Sequence, residues 1–243
     1  MAAKKSTTRS STKTAKREAG GQADAKGAAK KSAAKKSAVA KEAKPKTGAS
    51  KLAAEILASE DVAPRVAEQA ELLLDPRSTT ATRAARVLHE LVTEHADLLA
   101  THVEKFAQGV TSKHKRVVQT SADALPAIAR IAPAKVAKHL DTLKESFEPT
   151  SADGKDGLVR TFANLCTASV AYQKRLEPVL TLALEGCDGK TLLRWSGIVL
   201  PALKGEPHAR ARAVVEERLD RIPRSIAQQI ATTLGVRLRV RYR

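Results

Sequence analysis

Leucine first appears at position 52, and the pattern of the chain changes there. From Leu52 to Gly235 apolar residues recur at intervals of three and four: Val87, Leu88, Leu91 and Val92, then Leu125, Ile128 and Ile131, then Leu158, Phe162 and Leu165. That spacing follows one face of an α-helix, and it predicts helix throughout the stretch. Ser112, Pro133, Ser151 and Pro207 mark helix starts; Gly109, Gly154, Gly186, Gly189 and Gly205 mark breaks. Strand-like alternation occurs only from Val236 to Tyr242, where Arg alternates with Leu, Val and Tyr. With no partner strand in the sequence, an extended end is expected there.

The helical pattern repeats. Leu88, Leu125 and Phe162 stand 37 residues apart, as do Leu91, Ile128 and Leu165, and Val92, Ala129 and Cys166. A second helix follows suit: Val103, Leu140 and Leu176, then Phe106, Leu143 and Val179, at intervals of 37 and 36, with Val66 another 37 before Val103. The fourth match, around Leu192 to Leu203, reads as shifted in register. A period of this length built from two helices is the mark of an α-solenoid, so the expected fold is all-α, with about four to five stacked helix pairs. The units resemble HEAT repeats of the armadillo-like class, over roughly residues 51–235. One helix pair cannot bury its own apolar stripe, so neighbours must share a core. Small residues such as Ala84, Ala85, Ala122 and Ala124 let helices approach closely. Aromatic residues are only 2% of the chain, so Leu, Val, Ile and Ala must build that core, with Trp195 and Tyr172 in it or at a groove edge. A tetratricopeptide array fits less well, because its period is about 34 and its Trp/Gly/Tyr/Pro pattern is missing.

Ahead of Leu52 the chain is of another kind. From Ala2 to Lys51 the only aliphatic side chain larger than alanine is Val39. Such a segment buries too little to offset roughly 1–2 kcal/mol of backbone entropy per residue, and no fixed structure is expected of it in isolation. Its units are Ala29-Lys30-Lys31-Ser32, Ala34-Lys35-Lys36-Ser37 and Ala40-Lys41-Glu42-Ala43-Lys44-Pro45-Lys46. In composition this resembles the tails of linker histones and of tailed bacterial histone-like proteins; the alternative is a solubilising or localising tail. Three parts are thus expected: a basic tail over 1–51, a helical array over 52–235 and an Arg-rich extension over 236–243.

Charge sharpens the division. The formal net charge is +17, and residues 1–51 hold fifteen Lys and Arg against three acids, a net of +12. Arg237, Arg239, Arg241 and Arg243 add +4, and the remaining 185 residues are nearly neutral, with 24 bases and 23 acids. Basic ends on a neutral fold point to a polyanionic partner, nucleic acid or an anionic membrane surface. No apolar run approaches the ~20 residues of a membrane span. The N-terminus has neither the apolar stretch of a secretory signal nor the amphipathic, Arg-rich character of a mitochondrial one. Two cysteines, Cys166 and Cys187, make no disulfide framework and suit a reducing interior. The expected location is cytoplasmic and nucleoid-associated, or nuclear in a eukaryotic host.

Catalytic pattern is sparse. His89-Glu90 invites comparison with a zinc-protease helix, but the next histidine, His95, comes six residues on rather than four, which leaves the rings far apart on a helix. A turn is expected between His95 and His102. Cys166 reads as a small buried hydrophobe, and Cys187 as an exposed residue at the Gly186–Gly189 turn. There is no Gly-rich phosphate loop and no serine nucleophile elbow. No metal or cofactor is expected. HEAT-like alkylpurine DNA glycosylases share the architecture and need aromatic side chains and a carboxylate beside the damaged base; Trp195, with Asp188 and Arg194, is all this chain offers toward that resemblance.

Within the array, cations gather at expected helix starts. Lys113, Lys115 and Arg116 follow Ser112, and Lys135 and Lys138 follow Pro133. Lys174 and Arg175 precede Leu176, Lys190 precedes Leu192, and Arg210 and Arg212 follow Pro207. A cation there opposes the helix dipole by about 0.3–1 kcal/mol. Either these residues form a solvated rim, or they join helix N-termini in binding phosphates. The reading that follows is non-catalytic, sequence-independent binding of double-stranded DNA or another polyanion. Its expected contacts are Lys30, Lys31, Lys35, Lys36, Lys41, Lys44 and Lys46, then Lys113, Lys115, Arg116, Lys135, Lys138, Lys174 and Arg175, and the four terminal arginines. Without base-reading motifs or interleaved aromatics, neither sequence specificity nor stacking on single strands is expected. The rival readings are a protein–protein scaffold whose tail only localises it, and attachment to anionic lipid.

Overall fold

The computed structural model describes residues 48–236. The tail lysines and the four terminal arginines lie outside the described residues, as do the expected absence of structure in the tail and the extended C-terminal end. Among the described residues there is helix and no strand.

The chain begins with α1 (Gly48–Leu57) and α2 (Val62–Leu72). Helix α1 thus starts four residues ahead of Leu52, because Ala49 and Leu52 both pack on the core beside the buried Ala53 and Ile56. Then follow α3 (Ser78–Val92), α4 (Ala96–Leu99), α5 (Val103–Gly109), α6 (Lys115–Ile131), α7 (Pro133–Ala137) and α8 (Leu140–Glu145). The last elements are α9 (Ala152–Ala168), α10 (Val170–Gly186), α11 (Gly189–Ala202), α12 (Gly205–Arg218), a short 3-10 turn over Leu219–Arg221, and α13 (Arg224–Leu234).

The period is visible in the starts. Helices α3, α6, α9 and α11 begin at Ser78, Lys115, Ala152 and Gly189, 37 residues apart each time. So do α4, α7 and α10, at Ala96, Pro133 and Val170. Each long helix packs on the next: α3 on α6, α6 on α9, α9 on α11. The return helix is broken in two after α3 (α4 and α5) and after α6 (α7 and α8), and it is continuous in α10, which packs on both α9 and α12.

Leu88, Leu125 and Phe162 are each fully buried, as the repeat predicts. The fourth unit is not shifted in register. Val199 stands 37 residues after Phe162 and is equally buried, and Ala202 and Leu203 continue the two neighbouring columns. The reason is that α11 meets α9 as α9 meets α6, so the same positions must face inward.

Gly154 does not break a helix; it lies in the first turn of α9. Ser151 caps that helix by accepting from the Gly154 N–H, and Thr150 occupies the space a Gly154 side chain would take. Pro126, Pro178 and Pro201 also sit inside helices. A proline has no N–H, so Pro126 leaves the Ala122 carbonyl without its helical donor. Arg160 of α9 supplies one, its Nη2 donating to that carbonyl at 3.3 Å. Asn164 of the same helix donates to the Pro126 carbonyl at 2.9 Å, and Thr120 of α6 donates to the Ala85 carbonyl of α3 at 3.0 Å. Side chains from one long helix therefore satisfy the backbone of the one before it.

At the end of the array Gly235 adopts φ 66°, a left-handed conformation that terminates α13. The Val236 N–H reaches back to the Ala231 carbonyl at 2.9 Å. No helix among the described residues is long and apolar enough to cross a membrane.

Candidate nucleic-acid interface

Helix α3 buries Ala81, Ala84, Ala85 and Leu88. The opposite stripe, at Thr79, Thr82, Arg83, Arg86 and Glu90, has the same helical spacing and faces out. Together with Gly48 and Ala49 of α1, Ser78 of α3 and Arg116 of α6, these residues line a hollow of about 820 Å³. Among the described residues that line it, three arginines and one carboxylate give a net charge of +2. Arg83, Arg86 and Arg116 make no ion pair among the described residues, and the buried Nε of Arg116 has no hydrogen-bond partner there.

Arg116 also borders a second hollow of about 390 Å³, farther along the same face. Its charges cancel. Asp123 of α6 receives Arg160 of α9 at 3.1 Å and faces His89 of α3 at 3.7 Å. Asp156 of α9 receives Arg160 at 3.2 Å and Arg194 of α11 at 2.9 Å. The indole Nε1 of Trp195 donates to the same carboxylate at 2.9 Å. Each of these two acids thus ties its own helix to a neighbouring one.

The residues singled out from the sequence scatter across the fold. Lys113 precedes α6, Lys115 and Arg116 open it, and both lysines are exposed. Lys135 and Lys138 are exposed too: Lys135 is the third residue of the five-residue α7, where first and last turns overlap, and Lys138 ends it. The carbonyls at that end favour a cation, so Lys138 does not oppose the dipole. Lys174 and Arg175 are the fifth and sixth residues of α10, past its first turn, because that helix begins at Val170 rather than next to Leu176. Arg175 bonds Asp141 at 3.3 Å. Arg210 and Arg212 likewise lie past the first turn of α12; Arg210 bonds Glu177 and Glu206, and Arg212 bonds Glu216. Lys115, Arg116, Lys135 and Lys190 keep first-turn positions.

Arg83 and Arg86 were not among the residues expected from the sequence. Their signal was present: they lie on the face of α3 opposite Leu88, and Arg86 is in the repeat column of Asp123 and Arg160. The carboxylate at Trp195 is Asp156, not Asp188, which caps α11 by accepting from the Thr191 N–H at 2.7 Å. That bond holds the Asp188 carboxyl below its usual range. A chain-order neighbour is therefore replaced by one 39 positions away, on the adjoining helix.

Both cysteine thiols are held above their ordinary range. Burial pushes the Cys166 thiol up to about 12. Cys187 is half-buried rather than exposed, and burial raises it as well, against the opposing effect of Arg218. Arg218 donates to the Leu184 and Cys187 carbonyls, closing the C-terminal end of α10. Among the described residues no cluster of three His, Cys, Asp or Glu is placed to hold a metal ion.

No protein-family model matches the chain, and no curated protein matches it. The fold is similar to that of a solved crystal structure of an engineered protein, with a TM-score of 0.55 at 18% identity, covering 77% of this chain and 88% of that one. At that identity the likeness is one of fold alone.

Proposed function

We propose that this protein is a HEAT-like α-solenoid that binds duplex DNA without regard to sequence, as a chromosome- or nucleoid-associated protein, and that it catalyses nothing. The observation that carries the reading is the partition of charge. Residues 1–51 hold a net +12 and the last seven a net +4, on a fold whose own bases and acids nearly balance. Lysines separated by alanine and serine can neutralise successive phosphates and release their counterions, which supplies affinity without reading bases. The unpaired arginines of the α3 hollow extend the same chemistry onto the fold.

A second reading, a protein-binding scaffold localised by its tail, is favoured by the exposed Ile131, Val170 and Leu182. A titration of full-length protein against short labelled duplexes of unrelated sequence separates the two. DNA binding predicts equal affinities for all sequences and a steep salt dependence, with roughly six to ten phosphate contacts at a slope of about −0.9 each. Weak binding that ignores salt places the scaffold first.

A further inference from the structure

The two hollows on the face of the long helices differ in one respect. In the second, Arg160 and Arg194 are matched by Asp123 and Asp156. In the first, among the described residues, Arg83, Arg86 and Arg116 share the lining with one carboxylate, Glu90, which pairs with none of them, and Arg116 stands between this hollow and the aspartates of the second. An anion would meet several guanidinium groups there at once, and guanidinium groups suit the oxygens of a phosphate. The rest of the lining agrees. Ser78, Thr79 and Thr82 bring hydroxyl donors. The N-terminus of α3 opens here with no acidic residue in its first turn and no side-chain cap, so its backbone N–H groups are free to donate.

The chain also enters the fold at this place. Gly48 lines the hollow, and Lys46 precedes it by two residues. The basic segment therefore joins the fold, in sequence, beside a residue that lines the hollow.

We propose that Arg83, Arg86 and Arg116 form a phosphate-binding site on the fold, which holds the backbone of the same polynucleotide that the tail engages. The inference rests on the DNA-binding reading for its ligand, and it adds an anchor on the fold to the basic tail. Glu90 is the site's counterweight, limiting its affinity for phosphate.

The test uses full-length protein and a short labelled duplex over a range of salt. Three variants are compared with the parent: Arg83→Gln/Arg86→Gln/Arg116→Gln, Glu90→Gln, and a tail variant with Lys30, Lys31, Lys35, Lys36, Lys41, Lys44 and Lys46 changed to Gln. The triple arginine variant is expected to flatten the salt slope by about two, the value of two phosphates. Glu90→Gln is expected to tighten binding up to about fivefold, the value of one close charge pair in water. The triple variant's helical circular dichroism checks its folding, and Glu90→Gln tests the site without depending on it. If the tail variant loses the slope while the triple and Glu90→Gln match the parent, DNA binding stands and the proposed site is overturned. If the tail variant binds like the parent while the triple loses binding, the site stands and the tail-centred reading fails. Parent-like behaviour in all three variants overturns both.

Discussion

Gly157 of α9 lies directly against the backbone of Ala122 in α6. A β-carbon on Gly157 would come within 2.6 Å of the Ala122 carbonyl oxygen, and closer still to its Cα and Cβ. Intrinsic propensity favours alanine over glycine in a helix by about 1 kcal/mol, so Gly157→Ala would stabilise an isolated α9. In the folded protein the two helices must separate instead, and overpacking of this kind costs about 1–3 kcal/mol. Gly197, inside α11, has open space where its β-carbon would go. Gly197→Ala is therefore expected to raise stability by about 0.5–1 kcal/mol. Urea unfolding of the two variants should give shifts of opposite sign.

Phe162 shares its repeat position with Leu88, Leu125 and Val199, and all four are fully buried. Phe162→Ala is expected to cost about 3–5 kcal/mol, in the range of core aromatic truncations. Thermal or urea unfolding measures it; a loss below 1 kcal/mol would mean that the column does not bear the packing assigned to it.

The apolar columns were legible because burial repeats wherever the same helix contact repeats, and Leu88, Leu125 and Phe162 report that directly. The fourth unit was harder to read. Its inward residues, Val199, Ala202 and Leu203, are smaller or offset in type from Phe162, Leu165 and Cys166, so a comparison by size suggested a slip that the spacing itself did not contain. Polar structure was read less well, for a physical reason. Chain neighbours place Lys174 and Arg175 at a helix start, yet α10 begins at Val170 and carries them past its first turn. Arg83, Arg86 and Arg116 meet only when α3 and α6 are side by side, and Asp156 reaches Trp195 only across α9 and α11. Such groupings depend on packing, which local spacing encodes weakly.

Asp156 accepts a hydrogen bond from Trp195 and forms ion pairs with Arg194 and Arg160. Asp156→Ala would leave the Trp195 N–H without its acceptor, at a cost of about 1–3 kcal/mol for a buried donor. Trp195 is the only tryptophan of the chain, so its fluorescence reports the site alone. The variant is expected to unfold at lower urea and to show a shifted emission maximum while still folded. An unchanged spectrum and midpoint would contradict this role.

His102 is held below its ordinary value of 6.5, first by burial and then by Lys105 and Lys135, against an opposing pull from Glu71. The unfolded chain therefore takes up a proton near pH 6.5 that the folded chain still refuses. Stability from this residue is complete above pH 6.5 and declines as pH falls toward the folded value, below which no more is lost. His102→Gln is expected to flatten the urea midpoint against pH in that window. A slope as steep as the parent's would assign the effect to other groups.

Binding of duplex DNA by full-length protein and by a chain lacking residues 1–46, measured against salt, tests the account most directly. This deletion leaves α1 whole, since that helix begins at Gly48. The account predicts that the full-length chain binds unrelated sequences alike, with log affinity falling steeply against log salt, and that the deletion removes most of that slope. If the two proteins bind equally at ~0.1 M salt, where the screening length is about 10 Å, the basic tail is not a DNA-binding arm and the central claim is wrong.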